Sequence, residues 1–530
     1  MAHSKHSEVR QVVSEMQERI RPAPPPVTHK VSKVGTFAID TKQEVMYIPE
    51  WHHESDIWPY IHEFVVHEYN HTRICGIPYT YIEGKRLQAA IMAGLKSPYG
   101  NEKLPRGVPA DLLNIIGDAV NNIFIHGKTF DGHTFDMRTT QESWVKRFPP
   151  TKQDDSAGTA HVDGYYVLNL VFQHFFGGNI LTDNTVPARK EFKKLVSDIK
   201  GLVVQARTNP ATKDTQLVVD AAKMIWELTD HNENDSKGPC MVPRKAEKDE
   251  LDKLAEIAVE FGLDAEDLID LTEDPDLTTS EAAKLLSKAR RIKSAELIYK
   301  AQVGFKDFIG GASQPIYAPS SRHFRPSDRN LSIDSVALYP NDPRRWRTPA
   351  SYILTRVPTK YEKELGFKKV IGIVDTSGST RDLFKGRMVL LHEFDVLASL
   401  CGFAIDNRLP MDAYVFNSVV VPLRGKPQEL LAQALEFTPD GGTSLRLPLD
   451  RVHNETDCLI VIITDGEVSD RDVETVGKLT ARNKVIGMVV DKDYGTNTMV
   501  MTPVKNFTLY TANPGGGQAL IFNELKNALM

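Results

Sequence analysis

The residues of this chain whose types and spacing best suit chemistry form the pattern Asp375-x-Ser377-x-Ser379, directly after a small and apolar, largely β-branched run at residues 370–374. A carboxylate and two hydroxyls at alternate positions of one loop are hard oxygen ligands, which favour Mg²⁺ or Mn²⁺ over Zn²⁺. The preceding run is typical of a buried strand in a parallel sheet, and open α/β sheets bind ligands at the carboxyl ends of their strands. We therefore expect a divalent-cation site here.

Two later loops offer further oxygen ligands. Thr443 lies in the stretch Asp440-Gly-Gly-Thr-Ser, and Asp465 closely follows another apolar run. Because strand ends of a parallel sheet share one edge, both side chains can converge on the loop that begins at Asp375. Such a set leaves a coordination position open or filled by water, and the Asp or Glu of a protein partner can occupy it. No catalytic acid or base is evident nearby, so the site is predicted to recognise a partner.

A second chemical pattern, His67-Glu68-x-x-His71, lies far upstream in a segment of helical character. The two histidines are one helical turn apart, so both imidazoles lie on one face and suit Zn²⁺. Glu68 could then activate a metal-bound water, and Glu63, four residues before His67, could hold the other ring nitrogen of that histidine. Three fixed residues also arise by chance, so the motif alone is a weak signal.

Polar residues recur every four positions along the next strongly periodic helical segment, at Asn114, Asp118, Asn122 and His126. A polar stripe with an apolar back is either exposed to solvent or faces a polar cleft. Beside a His-Glu-x-x-His motif the cleft is favoured, which makes Asp118 our choice for the third zinc ligand. The alternatives are His126 and, more distantly, His161 and His174.

Taken together, the two motif-bearing regions resemble metallopeptidases fused to a von Willebrand factor A (VWA) domain, bacterial and phage proteins often encoded beside MoxR-type AAA+ ATPases. The resemblance implies a zincin-like amino-terminal half whose two histidines and later aspartate bind zinc. It also implies that Asp375, Ser377, Ser379, Thr443 and Asp465 form a metal-ion-dependent adhesion site (MIDAS), with a MoxR-type ATPase as partner. The segment between the two regions is covered poorly, and the spacing between the histidines and the aspartate is wide, with an insertion at residues 76–105.

Composition narrows the functional classes. The net charge of -6 and the even spread of basic residues give no indication of nucleic-acid binding. The four cysteines are isolated, without a Cys-x-x-Cys pair, so no thiolate zinc site is expected and a reducing cytoplasm is the expected compartment. No apolar run approaches the roughly 20 residues that span a bilayer, and the amino terminus has no apolar core of a signal peptide. We expect no membrane association.

The expected fold class is multidomain: a mostly helical α+β, zincin-like domain, a helical connector, and a carboxy-terminal α/β doubly wound (Rossmann-like) VWA domain. Strands are predicted in the last part at 369–374, 411–416, 458–463, 484–490 and 507–510, alternating with helices at 384–401, 428–435, 470–483 and 518–530. Residues 157–176 are predicted to form one helix, and 246–309 to be helical throughout, with a capping box at Thr278-x-x-Glu281. Near the amino terminus, residues 33–40 and 44–49 flank a polar turn and are predicted to form a β-hairpin. Five regions are predicted: an amino-terminal helix with a Pro-rich spacer (1–30), the zincin-like domain (31–235), the connector (236–310), an irregular strap (311–350) and the VWA domain (351–530).

Two functions remain open. In the first, the chain is a zinc-dependent peptidase with Glu68 as general base, and the VWA domain recruits a protein through its cation. In the second, the zincin-like half is inactive and the chain is a non-catalytic adaptor or scaffold for a MoxR-type AAA+ ATPase. Bound zinc and proteolysis in the wild type and in Glu68→Gln would test the first function. A pull-down comparing the wild type with Asp375→Ala, with and without Mg²⁺, would test the second.

Overall fold

A computed structural model of the chain describes residues 11, 28–32, 38–40, 45–54, 58–70, 73–74, 77–78, 81–96, 104–130, 133–147, 149–150, 152–154, 160–178, 180–181, 186–208, 215–229, 246–312, 318–323, 352–357, 368–384, 387–465, 470–490 and 507–511. His71, most of the predicted strap and a helix predicted at 518–530 lie outside these residues. Among the described residues, no helix combines the length and the apolar character needed to cross a membrane.

The amino-terminal half consists of helices joined by short strand pairs. Its strands are β1 (Thr28–Ser32), β2 (Ala38–Asp40), β3 (Val45–Pro49), β4 (Arg73–Ile74), β5 (Ile77–Pro78), β6 (Thr129–Phe130), β7 (His133–Thr134), β8 (Lys152–Asp154) and β9 (Ala160–Val162). Its helices are α1 (Ile61–Asn70), α2 (Tyr81–Leu95), α3 (Val108–Ile125), α4 (Met137–Arg147), α5 (Gly164–Phe176), α6 (Lys190–Thr208) and α7 (Thr215–Leu228). The antiparallel pair β2–β3 lies within the hairpin predicted from the sequence, and β1 adds to it in parallel.

One predicted helix is shorter than expected. The segment 157–176 becomes helical only at Gly164, because Asp163 caps the helix by accepting a hydrogen bond from the Tyr166 backbone N–H at 2.6 Å. The residues before it form β9, which pairs with β8. The helix ends at Gly177, whose φ of 73° is the left-handed value that glycine tolerates.

The helical connector contains three helices, α8 (Lys248–Glu260), α9 (Ala265–Thr272) and α10 (Thr279–Ala312), where helix was predicted throughout. The last of them begins at the predicted capping box, in which the Thr278 N–H donates to Glu281 and the Glu281 N–H donates to the Thr278 hydroxyl. The first break contains Gly262, at φ 63°, and ends at Asp264, which caps the next helix. The second break follows Glu273, at φ 58°. The connector packs on α2 of the amino-terminal half and on the carboxy-terminal domain, so a single apolar core runs through all three parts.

The carboxy-terminal domain is a six-stranded sheet covered by helices on both faces. Two separate strand pairs belong to this part of the chain, β10 (Ala318–His323) with β11 (Tyr352–Val357) and β13 (Leu383–Phe384) with β14 (Arg387–Met388). The strands of the six-stranded sheet are β12 (Lys369–Asp375), β15 (Met411–Phe416), β16 (Val420–Leu423), β17 (Cys458–Thr464), β18 (Lys484–Val489) and β19 (Phe507–Thr511). Its helices are α11 (Val389–Asp406), α12 (Pro427–Ala434), α13 (Arg446–Val452) and α14 (Asp470–Thr480). The sheet order is β16-β15-β12-β17-β18-β19, parallel except at β16.

Alternate residues of the central strand β12 pack on opposite layers. Val370 and Val374 belong to the core that includes α11 and α12, whereas Ile371 and Ile373 pack with α13 and α14. This alternation is why the run is continuously apolar, as expected of a parallel strand buried on both faces. The domain is therefore the α/β sandwich predicted from the alternating pattern.

Candidate functional site

The central strand β12 ends at the middle of the sheet edge, between β15 and β17. In register, Asp375 lies beside Phe416 of β15, and Val374 lies beside Ile463 of β17. Thr464 is the last residue of β17, and Asp465 follows it. The parallel register therefore brings the first and last predicted cation ligands to neighbouring strand ends.

Asp375 is fully buried and held on both carboxylate oxygens. Its Oδ1 accepts a hydrogen bond from the Ser377 backbone N–H at 2.8 Å, and its Oδ2 accepts one from the Thr464 hydroxyl at 2.8 Å. These bonds fix the orientation of the carboxylate. Thr464 has no place in the sequence prediction, although its position at the end of an apolar strand, one residue before Asp465, could have indicated it.

The hydroxyls of Ser377 and Ser379 lie 3.0 Å apart, across the start of a short 3₁₀ turn at Gly378–Arg381. Two neighbouring ligands of an octahedral Mg²⁺, each about 2.1 Å from the ion, are themselves about 3.0 Å apart. The spacing of the two hydroxyls therefore fits two adjacent ligand positions of such an ion.

The loop that carries Thr443 is tied to the Asp375 loop by two backbone hydrogen bonds. The Gly378 N–H donates to the Gly441 carbonyl at 2.9 Å, and the Asp440 N–H donates to the Thr376 carbonyl at 3.0 Å. Gly441 has φ 70°, a conformation suited to glycine. Thr443 itself is partly buried, two residues from this junction. The structure thus places the second predicted loop against the first.

Asp465 is buried close to Asp375, so two carboxylates share this edge. Burial and, next, the charge of Asp465 raise the pKa of Asp375 to about 7, against the opposing effect of its hydrogen bonds. A buried carboxylate whose pKa is raised by a neighbouring carboxylate is the arrangement that a divalent cation would relieve. The donor set, two carboxylates and three hydroxyls, has the hard character that Mg²⁺ or Mn²⁺ prefers.

In the amino-terminal half, both ring nitrogens of His67 lie close to polar side chains of helix α3. The His67 Nδ1 lies 2.6 Å from the Asn122 Oδ1, and its Nε2 lies 3.3 Å from the Asp118 Oδ1. Helices α1 and α3 therefore cross with the histidine of one against the polar stripe of the other, as the cleft interpretation expected. The role of Asn122 as the partner of Nδ1 is an addition to the sequence analysis.

The stripe on α3 divides into two environments. Asp118 and Asn122 are buried, whereas Asn114 is exposed and donates to the Tyr165 hydroxyl at 3.4 Å. The alternative ligand His126 follows the helix, with its ring 4.4 Å from that of Phe176. The other alternative on a described helix, His174, is exposed on α5. Of the stripe residues, Asp118 and Asn122 have the contacts to His67.

The electrostatics of His67 are dominated by its acidic neighbours. Burial alone would lower its pKa, but the hydrogen bond and charge of Asp118, with Glu68 and Asn122, outweigh burial and raise the pKa to about 9. Glu63 and Glu68, on either side of the histidine along α1, are both buried. The metal-free cleft therefore holds an imidazolium among carboxylates.

The spacing around His67 fits a zinc ligand pair. Two ligands of a tetrahedral Zn²⁺, each about 2.0–2.1 Å from the ion, are about 3.3 Å apart, which is the separation of the His67 Nε2 from the Asp118 Oδ1. A ring nitrogen held by a second group, here the Asn122 amide oxygen, is the usual companion of zinc ligation. Within the described residues, which do not include His71, no three His, Cys, Asp or Glu side chains cluster closely enough to hold a metal.

Comparison with known proteins gives matches among solved structures. No protein-family model matches the chain, and no curated protein matches it. Among solved structures, a von Willebrand factor type A protein from Catenulispora acidiphila is similar, with 14% identity and a TM-score of 0.24. The match covers 31% of this chain and 43% of that one. A likeness this weak does not by itself assign the chain to a family.

Proposed function

We propose that the carboxy-terminal α/β domain binds a divalent cation, Mg²⁺ or Mn²⁺, and through it an acidic side chain of a protein partner. The cation would be held by Asp375, Ser377, Ser379, Thr443 and Asp465. The observation that carries this proposal is the carboxylate of Asp375, fixed at the end of the central strand by Ser377 and Thr464 beside two hydroxyls 3.0 Å apart.

The chemistry of the donor set supports a recognition role for this site. Two carboxylates and three neutral hydroxyls leave a divalent ion with a free coordination position, and Asp or Glu is the natural protein ligand for it. The described groups that hold Asp375 are a backbone amide and a hydroxyl, neither of which acts as a general acid or base at neutral pH. The partner class that the sequence resemblance implies is a MoxR-type AAA+ ATPase.

A binding experiment tests the partner. The full chain is immobilised and exposed to a purified MoxR-type ATPase, in Mg²⁺ and in EDTA. We expect binding in Mg²⁺ that is lost in EDTA and in the Asp375→Ala variant but retained in Asp406→Asn, which removes a carboxylate from the exposed end of α11. Binding that is equal with and without Mg²⁺ would contradict the role of the cation.

A second candidate function, zinc-dependent peptide hydrolysis, is favoured by the contacts of His67. We propose that His67, His71 and Asp118 hold zinc, with Asn122 orienting the His67 ring. Zinc in such a site polarises a peptide carbonyl and lowers the pKa of a bound water. Glu68, which follows His67 in the sequence, is buried. As general base it would accept the proton of the attacking water.

Metal content and hydrolysis separate the peptidase from the adaptor. We expect zinc in the purified wild-type chain by mass spectrometry, less zinc in His67→Ala, and full zinc in Glu68→Gln. A peptidase would cleave a mixed peptide library with the wild-type chain and not with Glu68→Gln. Zinc without cleavage would favour the adaptor, and wild-type protein without zinc would contradict both the metal site and the peptidase.

A further inference from the structure

Helix α11 carries one acidic residue deep inside the carboxy-terminal domain. Glu393 is 0% exposed in a helix whose other buried residues are almost all apolar, and neither of its carboxylate oxygens has a hydrogen-bond partner among the described residues. Leaving a buried carboxylate unpaired costs several kcal/mol, on the order of that for other desolvated polar groups. Because this cost is large, we expect the Glu393 carboxylate to have a polar partner, such as a bound water or ion.

The packing of α11 places Glu393 toward the carboxyl edge of the sheet. The helix follows the Ser379 loop and leads back to Met411 at the amino end of β15, so it runs antiparallel to β12. Its residue Leu397 faces Gly372, because a Cβ on that glycine would lie 2.9 Å from the Leu397 Cδ1. Glu393 lies one turn earlier on the same face, about 6 Å nearer the edge, which is close to two residues along the strand. Glu393 therefore lies beside Val374 and Asp375, at the carboxyl end of β12.

Direction and charge agree with this placement. Helical side chains lean toward the helix amino terminus, which for Glu393 is toward the sheet edge. Burial and, next, the charges of Asp375 and Asp465 raise the pKa of Glu393 well above its ordinary value. Three carboxylates thus share one buried region. They do not form a cluster tight enough to ligate one ion directly, so any link from Glu393 to the ion passes through an intermediary.

We propose that Glu393 is a positioning residue of the cation site, which accepts a hydrogen bond from a buried water that also donates to one of the two direct carboxylates, Asp375 or Asp465. The proposal rests on the proposed function of the carboxy-terminal domain. It gives the orphan carboxylate a polar partner and adds a third negative group behind the two direct carboxylates. An outer carboxylate of this kind typically strengthens metal binding by about 10- to 100-fold.

Two variants of Glu393 test the proposal. Glu393→Gln keeps the shape and loses the charge, and Glu393→Leu replaces the acid by an apolar side chain of similar size. We expect both to lower Mn²⁺ affinity by about 10- to 100-fold in calorimetric titrations of the full chain. Since a buried acid is replaced by groups that are easier to bury, the metal-free melting temperature should stay equal or rise. Asp406→Asn, on the same helix, should bind Mn²⁺ as the wild type does.

The possible results distinguish a failure of the role proposed for Glu393 from a failure of the cation site itself. Wild-type Mn²⁺ affinity in Glu393→Gln, together with lost binding in Asp375→Ala, would overturn the role of Glu393 and leave the cation site standing. Absence of Mn²⁺ binding in the wild-type chain would overturn both. Should the leucine variant fail to fold, the isosteric glutamine variant alone decides the matter.

Discussion

Asp375 is the residue on which the carboxy-terminal site depends, and its protonation should control cation binding. Its pKa of about 7, raised by burial and by Asp465, means that the metal-free carboxylate is largely protonated at pH 5.5 and largely ionised at pH 8. A cation binds the ionised form, so binding must displace a proton at the lower pH. In the metal-free protein the same shift lowers stability as the pH rises from about 4 to about 7.

The consequence is a pH-dependent stabilisation by Mg²⁺. We expect saturating Mg²⁺ to raise the melting temperature of the wild-type chain by several degrees at pH 8, and by much less at pH 5.5. Differential scanning fluorimetry with and without Mg²⁺ at both pH values measures this. A stabilisation that is equal at the two pH values, or larger at pH 5.5, would contradict the role assigned to the Asp375 carboxylate.

At the amino-terminal cleft, the residue that the sequence analysis underestimated is Asn122. Its amide oxygen lies 2.6 Å from the His67 Nδ1, so Asn122→Ala should leave the ring free to rotate. We expect zinc affinity, measured by competition with a chromogenic chelator, to fall by about 10- to 100-fold. The control is Asn114→Ala, two turns earlier on the same stripe but exposed, which should keep wild-type affinity.

At the scale of elements, continuous apolar runs predicted the sheet well. The predicted strand at 411–416 coincides with β15, and the predicted starts of β12, β17 and β18 are the observed ones. The runs of β12, β17 and β18 are unambiguous because both faces of these strands are buried, whereas β15 alternates buried and partly buried residues over most of its length. The edge strand β16 was not predicted, since it is short, partly exposed and contains Pro422, which only an edge strand tolerates.

Helix boundaries were harder to predict, because they depend on caps and on pairings distant in sequence. The helix predicted from 384 begins at Val389, since Leu383 and Phe384 pair with β14 instead. The buried position of Glu393 could not be read from the sequence either. A glutamate within an apolar helix is ordinarily taken as an exposed residue, and only the packing of α11 on β12 shows otherwise.

The junction between α2 and α9 gives a stability prediction. The ammonium of Lys85 is buried and paired with Glu273, and its charge also favours the ionised form of Asp270. Lys85→Met leaves these two acids without that cation. They lie close to Asp111, whose pKa is raised to about 6 by burial and by the charges of Asp270 and Glu273. We expect the free energy of unfolding to fall by about 3 kcal/mol at pH 8.

The pH dependence and a neighbouring variant make that prediction specific. The loss in Lys85→Met should be smaller at pH 5.5, because protonation relieves the repulsion among the acids. Arg86→Met, which removes an exposed cation paired with Glu260, should cost less than about 1 kcal/mol at either pH. Urea denaturation of both variants decides this, and equal losses would contradict the buried pairing.

On the scale of the whole molecule, the connector joins the halves that carry the two proposed sites. Gly262, between α8 and α9, lies against Met388 at the start of α11: a Cβ there would be 2.5 Å from the Met388 Cε. The same connector packs on α2 through Lys85 and Glu273. Because the connector packs on both halves, a partner bound at the proposed cation site would be held at a fixed position relative to the amino-terminal half.

The most direct test of this account is Mn²⁺ binding by the full chain in a His67→Ala background, where the amino-terminal site is impaired. We predict one Mn²⁺ per chain by electron paramagnetic resonance titration, competed by Mg²⁺ and lost when Asp375→Ala is added. Retention of the same affinity after Asp375→Ala, or no binding before it, would contradict a cation site at the end of the central strand.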